Sequence, residues 1–410
     1  MCSGCGLPPD NAVRALDGLR LLDLTHMVSG PYAGMMLADL GAQTIKVEPP
    51  GAGEGTRRLL ADDPRNTLDG MGAYFLALNR NKQSVTINLK HEAGIALFYD
   101  LVRVSDIVLD NFSAGVTERL RIDYAHLAEI NPRIITASIT GFGGTGPDRD
   151  RVAFDLVTQA VGGTMSLSGP EGGPPTRFGP AIGDIGGGVM GVIGVLAALI
   201  ARARTGRGQH VDISMLDAQI SFLNYVATVH ALSGEIPGPL GNGHFIHVPY
   251  NAYAARDGYV IIAIITDAFW KEFVRAFALA DLDTSENEQQ PGRLRNKQHI
   301  DARITEFFQT DTQAHWLARL AEARIPAAPV NNIAQALHDP QVQARNMYPE
   351  VRTPLGGVTH IPGNPIKLSE THEERFEPPP LVGQHNAQIF GGLLGKTPEE
   401  IAALRAAGAI

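Results

Sequence analysis

The chain has 410 residues, 44% apolar and 19% charged, with a formal net charge of −9 and a pI near 5.8. That length exceeds one ordinary hydrophobic core, so two domains are expected. The acidic balance and the absence of any long basic block argue against a nucleic-acid partner, while leaving room for a local basic pocket that takes a phosphorylated ligand.

Residues 1–10 lack the basic-then-apolar pattern of a secretory signal, so the cytoplasm is the default compartment. Cys2 and Cys5 are the only cysteines. They form a C-x-x-C, but a zinc site needs four ligands and no second pair exists, so an inert terminus is expected. Further on, 19–25 reads as a strand, 31–40 as a helix with proline in its first turn, 44–48 as a strand and 49–65 as a loop. A short helix at 74–79, a strand at 84–89 and a helix at 92–104 follow. The pattern continues with a strand at 106–110, a helix at 124–129 and a strand at 134–140. Strands alternating with helices predict an α/β fold with a Rossmann-like parallel sheet. Ligands then gather at the loops after the strands, here 26–30, 49–55, 111–115 and 141–146.

The last of these loops, GFGGTG, matches G-x-G-x-x-G. A dinucleotide motif belongs in the first strand-to-helix turn, whereas this one follows a late strand and runs into Pro147-Asp148-Arg149-Asp150. A mobile glycine loop fits better than a nicotinamide site.

Residues 180–208 are the most distinctive stretch. Asp184 stands before Gly186, Gly187 and Gly188, and from Val189 to Ala201 no residue is polar. Arg202 and Arg204 then precede Gly206 and Gly208. This predicts a loop, a buried helix and a glycine cap with basic residues in the last turn. The run is too short and too closely flanked by charge for a membrane span. Gly187, Gly191, Gly194 and Ala198 give the helix a bare face that another element can approach. Asp184 has two readings at this point. One is a helix N-cap. The other is a carboxylate nucleophile kept ionised by the positive helix end, with glycines admitting a substrate carbonyl.

A strand at 209–214 and a helix at 215–231 come next. Gly and Pro dominate 233–243, which reads as a linker. A strand at 258–264 and helices at 269–278 and 312–323 predict a smaller α+β domain. Loops at 356–365 and 377–380 lead to a last helix at 398–407. The expected division is 1–232 for the large domain, 233–330 for the small one, and 331–410 for the return into the large one.

Several segments together resemble a known family. They are LLDLTHMVSGP at 21–31, LGAQTIKVEPPG at 40–51, NRNK at 79–82, DNF at 110–112 and SITGFG at 138–143. Gly183-Asp184, TGRGQ at 205–209, IPAAPV at 325–330, Asp339-Pro340 and LVGQH at 381–385 complete the set. In this order they resemble the class III CoA-transferases, the family of formyl-CoA transferase and carnitine CoA-transferase, which also contains the 2-methylacyl-CoA racemases. The resemblance implies an interlocked homodimer and places the catalytic aspartate on Asp184. It implies coenzyme A or acyl-CoA as substrate, a small carboxylic or dicarboxylic acid as acceptor, and no tightly bound cofactor or metal. The CoA-binding positions it implies are Val28 and Ser29; Ile87, Asn88, Leu89 and Lys90; Asn111, Phe112 and Ser113; Arg119; and Arg151, Val152, Ala153, Phe154 and Asp155. An Arg119 guanidinium would match a phosphate. The loop Gly241, Asn242, Gly243 and His244 resembles the family loop that closes over the site, with His244 facing a substrate carboxylate or, equally, solvent.

The chain departs from the family at Pro49, where a basic residue often follows the strand; Arg57 or Arg58 is the expected replacement. Backbone N–H groups of Gly186–Gly188 are expected to stabilise oxyanions. Two further readings stay open, a racemase and a non-catalytic CoA-binding protein. Against the racemase, Phe154 stands where the racemases resembled carry histidine, and no histidine lies between His126 and His210.

Overall fold

The computed structural model describes residues 14–371 and 374–410. Cys2 and Cys5 lie outside the described residues. The chain divides into two compact units. The larger comprises residues up to Thr164, then 178–228 and 341–410; the smaller comprises 165–177 and 229–340. Residues 165–177 therefore go with the smaller unit rather than the large domain, and the return lies ten residues later than expected.

The larger unit is built on β1 (Arg20–Asp23), α1 (Ser29–Asp39), β2 (Gln43–Glu48), β3 (Lys82–Thr86), α2 (Glu92–Arg103), β4 (Ile107–Asp110) and β5 (Ile135–Thr140). Then come α3 (Asp155–Val161), α4 (Ile182–Thr205), β6 (His210–Ser214) and α5 (Met215–Leu223). The six strands are all parallel, in the order β3-β2-β1-β4-β5-β6. Side-chain alternation sends Leu22, Ile45, Val85 and Val108 to one face, against Leu97, Phe98 and Leu101 of α2. Leu21, Ile107, Leu109, Ile135 and Ile139 go to the other, against α1 and Val192, Val195 and Ala198 of α4. The smaller unit is α+β. Antiparallel strands Tyr250–Ala254, Tyr259–Ala263 and Ala327–Pro329 pack against helices that contribute Trp270, Phe273, Phe308 and Trp316. Its helix Lys297–Phe308 was legible in the spacing of Ile300, Ile304 and Phe308 but was not anticipated.

Two elements differ from expectation. The helix expected over 215–231 is two helices, broken at Asn224, whose φ of 45° and ψ of −122° leave the helical region. The helix α4 begins at Ile182, ahead of Asp184, so Gly186, Gly187 and Gly188 all lie inside it. Three helical glycines cost roughly 1 kcal/mol each against alanine, so tertiary contacts must offset them. Here α4 is pressed against the sheet and α1: a Cβ at Gly188 would stand 2.7 Å from the Ser29 carbonyl oxygen, and one at Gly187 2.8 Å from Met215 Cγ. The glycines give close packing rather than a path for substrate. Among the described residues α4 is the one helix long and apolar enough to cross a membrane, and Val192, Val195 and Ala198 bury part of that length in the core.

Candidate active site

In this strand order the chain reverses between β1 and β4, and the loops leaving their carboxyl ends part to open a crevice. Asn111 ties the two loops together. Its Oδ1 accepts the His26 backbone N–H at 2.8 Å and its Nδ2 donates to the His26 carbonyl at 2.7 Å. Phe112 lies against the His26 ring, with centroids 5.4 Å apart. Met27, at φ 62°, turns the β1 loop into α1, with Val28 as the residue before the helix and Ser29 its buried first member.

A layer of buried charge underlies this loop. Lys82 Nζ donates to Asp23 Oδ2 at 2.8 Å, to the Pro31 carbonyl at 2.9 Å and to Asn79 Oδ1 at 3.0 Å. Lys46 Nζ holds the Thr25 carbonyl at 2.9 Å. Burial pulls the Lys82 amine down to about 8 against the attraction of Asp23.

Asp184 is the third residue of α4. It is not the N-cap: that position is Ala181, which caps nothing with its side chain. The cap comes instead from α3. Asp155 Oδ1 accepts the N–H groups of Gly183 at 2.7 Å and Asp184 at 3.3 Å, and Gln159 Nε2 donates to its Oδ2 at 2.7 Å. Ile182 and Ile185 donate to the carbonyls of Pro180 and Ala181. The first-turn donors are thus spent within the protein, and Gly186–Gly188 fall in the helix ladder beyond them. The expectation that these N–H groups bind an oxyanion is not met. Nor does the helix end keep Asp184 readily ionised: burial first, then the charge of Asp155, push its carboxyl up to about 7. Asp155 offsets the positive helix end that sequence reasoning counted on.

The Asp184 carboxylate accepts no hydrogen bond from a described side chain, and it borders a cavity of about 150 Å³. Of the residues expected in the site, Ser29, Asn111, Phe112, Ser113, Arg151, Val152, Ala153 and Phe154 line the same cavity. Val28, Asp155, Ile87–Lys90 and Arg119 do not. Asp155 is turned behind the cavity wall. Ile87 is in the core and Asn88 N–H donates to the Ala409 carbonyl, both at the far edge of the sheet. Arg119 is exposed on the short helix Val116–Leu120. Gly241–His244 belong to the smaller unit, where His244 Nδ1 accepts the N–H groups of Ile246 and His247.

The cavity also takes in His26, Met27, Thr140, Gly141, Arg149 and Asp150, which sequence reasoning did not name. The signal was there, since they lie in or beside two of the four loops that follow strands. Gly144 of the glycine loop donates to the Asp212 carboxylate at 2.9 Å, and no helix opens directly behind the loop, as its mismatch to a dinucleotide motif implied. Arg57 does not replace the missing base at Pro49. It forks onto Glu48 at 2.6 and 2.7 Å, donates to the Pro380 carbonyl and stacks on Phe75, all in the interior. Arg58 is exposed.

The model for CoA-transferase family III matches residues 16–386. A succinyl-CoA:mesaconate CoA-transferase of Haloarcula marismortui is 38% identical over 385 residues, covering 92% of this chain and 96% of the relative. An acetyl-CoA:oxalate CoA-transferase of Acetobacter aceti is 37% identical over 367 residues, covering 88% and 92%. Among solved structures, a CAIB/BAIF family protein from Brucella suis superposes with a TM-score of 0.83 at 35% identity, over 93% of this chain and 99% of that one.

Proposed function

The chain belongs to CoA-transferase family III and is a CoA-transferase acting on acyl-CoA and carboxylic acids, and from that premise we propose that it works through Asp184 as a covalent nucleophile. The carrying observation is a carboxylate with no hydrogen-bond partner among the described side chains, at a cavity wall and on the first turn of a helix packed closely against the sheet and α1. The Asp184 oxygen attacks the thioester carbonyl, the C–S bond breaks, and CoA leaves as thiolate, giving a mixed anhydride. The acceptor carboxylate attacks the Asp184 carbonyl of that anhydride and the donor acid leaves. The thiolate then attacks the acceptor acyl carbon, forming the new thioester and freeing Asp184. Splitting the exchange this way lowers each barrier. Arg149 and Arg151 supply positive charge beside the cavity for the acid and the CoA phosphates. Ser29 and the 111–113 loop suit the pantetheine end, and the exposed cations Arg58, Lys90 and Arg119 suit the nucleotide end.

The acceptor we favour is a small dicarboxylic acid, because the acids named for both relatives, mesaconate and oxalate, carry two carboxyl groups, and the donor we favour is succinyl-CoA, the donor named for the Haloarcula relative. A screen of acyl-CoA donors against mono- and dicarboxylate acceptors, read by mass, tests this; transfer confined to monocarboxylates would overturn it.

Asp184 reacts as its anion, so kcat/KM is expected to fall about tenfold per pH unit below the Asp184 pKa, which lies near 7. A profile flat down to pH 5 would contradict the assignment.

A homodimer is part of the proposal. Ile193 and Ile200 of α4 are 55% and 66% exposed, and Ile220 and Phe222 of the adjoining α5 are 50% and 41% exposed. Apolar side chains of this size gathered on adjoining helices mark an interface. Light scattering is expected to give twice the chain mass; a stable, active monomer would refute it.

A further inference from the structure

The mechanism above leaves a buried carboxylate beside the nucleophile unused. Asp155 is 9% exposed, opens α3, and does not line the cavity. Its oxygens are engaged on both sides, by two N–H groups of α4 and by Gln159, whose own Oε1 accepts the Phe178 N–H at 3.0 Å. No side chain fits at Gly183: a Cβ there would stand 2.6 Å from Thr158 Oγ1 and 2.9 Å from Asp155 Oδ1. The first turn of α4 is therefore bolted to α3 through one side chain.

We propose that Asp155 is a positioning residue of the reaction: its carboxylate fixes the turn that carries Asp184 and sets a second negative charge behind the nucleophile. The inference rests on Asp184 being that nucleophile. A neutral cap would serve the first purpose but not the second. The charge makes the Asp184 anion a stronger base, and so a better nucleophile, at the cost of a smaller ionised fraction below neutral pH. Desolvation of Asp184 acts in the same direction and is the larger cause, with Asp155 the second. The other charges that face Asp184 are Arg149, Asp150 and Arg151, on the loop before α3, and His26 on the β1 loop; α1, β5 and α5 contribute no charged side chain to the lining.

Two variants separate the two roles. Asp155→Asn keeps an oxygen for the Gly183 and Asp184 N–H groups, removes the charge and gives up only the bond from Gln159 Nε2, which its amide nitrogen cannot accept. Asp155→Ala removes both. The measurement is the single-turnover rate at which an acyl-CoA forms the adduct on Asp184, followed from pH 5 to 9, with KM for the acyl-CoA alongside and folding checked by circular dichroism. In Asp155→Asn the acid limb is expected to move down by about one pH unit while the high-pH rate stays within about threefold of the parent. In Asp155→Ala the limb moves likewise, but the high-pH rate falls at least about tenfold with KM within about twofold, because the turn loses its cap. If the alanine variant does not fold, the asparagine variant decides alone. A purely structural role would leave the limb in place, and an unmoved limb overturns the inference while the nucleophile stands. Absence of any adduct in the parent overturns both.

Discussion

Asp184→Asn and Asp184→Ala are expected to lower kcat/KM by at least about a thousandfold, with acyl-CoA binding retained. The size follows from the role, since a covalent nucleophile has no partial substitute. His26 and Asp150 share the cavity, but neither sits on the helix turn that α3 holds in place. Asn at 184 is close in shape and leaves the backbone N–H on Asp155, so the fold should survive. The linkage sharpens the test. A carboxyl whose pKa rises on folding binds its proton more tightly in the folded state, so the stability it contributes is lost as pH climbs from about 4 to about 7. Asp184→Asn removes that penalty and is expected to be at least as stable as the parent at pH 8. A less stable variant at pH 8 would show that the Asp184 carboxylate is held in place by favourable contacts rather than penalised by burial. Near-parent turnover would remove it from the mechanism.

The second large effect lies under the β1 loop. Lys82→Met is expected to destabilise the protein by about 3–5 kcal/mol, read from the urea midpoint, because a fully buried Asp23 loses the partner that neutralises it. Lys46 and Thr25 stay close, which holds the cost toward the lower end. Pairing Lys82→Met with Asp23→Asn should recover more than half of it, since a buried amide needs no counter-charge. If the double variant is as unstable as the single one, Lys82 acts through its bonds to Pro31 and Asn79 rather than through charge.

The α/β core was readable because it rests on local signals. Alternation at Ser84-Val85-Thr86 and the apolar spacing of Leu97, Leu101 and Val102 each point to one element. Ordered motifs such as DNF at 110–112 located the crevice loops. What stayed hidden depends on contacts made across the chain. The start of α4 ahead of Asp184 was not legible because no sequence pattern announces that Asp155, 29 residues before Asp184, will cap the helix. The same contact reversed the expected electrostatics of Asp184. Arg57 looked available for a phosphate because its fork onto Glu48 and its seat on Phe75 appear only once the loop has folded back. His26 and Arg149 were passed over for the same reason, as lone residues whose convergence is set by strand order.

Under the proposed mechanism acyl groups pass through a covalent bond to Asp184. The direct test is to incubate the enzyme with acyl-CoA, trap with hydroxylamine, digest with trypsin and sequence the peptide Phe178–Arg202 by mass spectrometry. A hydroxamate is expected on Asp184 that needs both acyl-CoA and hydroxylamine and is absent in Asp184→Asn. An unmodified peptide from enzyme that is turning over, or a hydroxamate on another carboxylate, would contradict it.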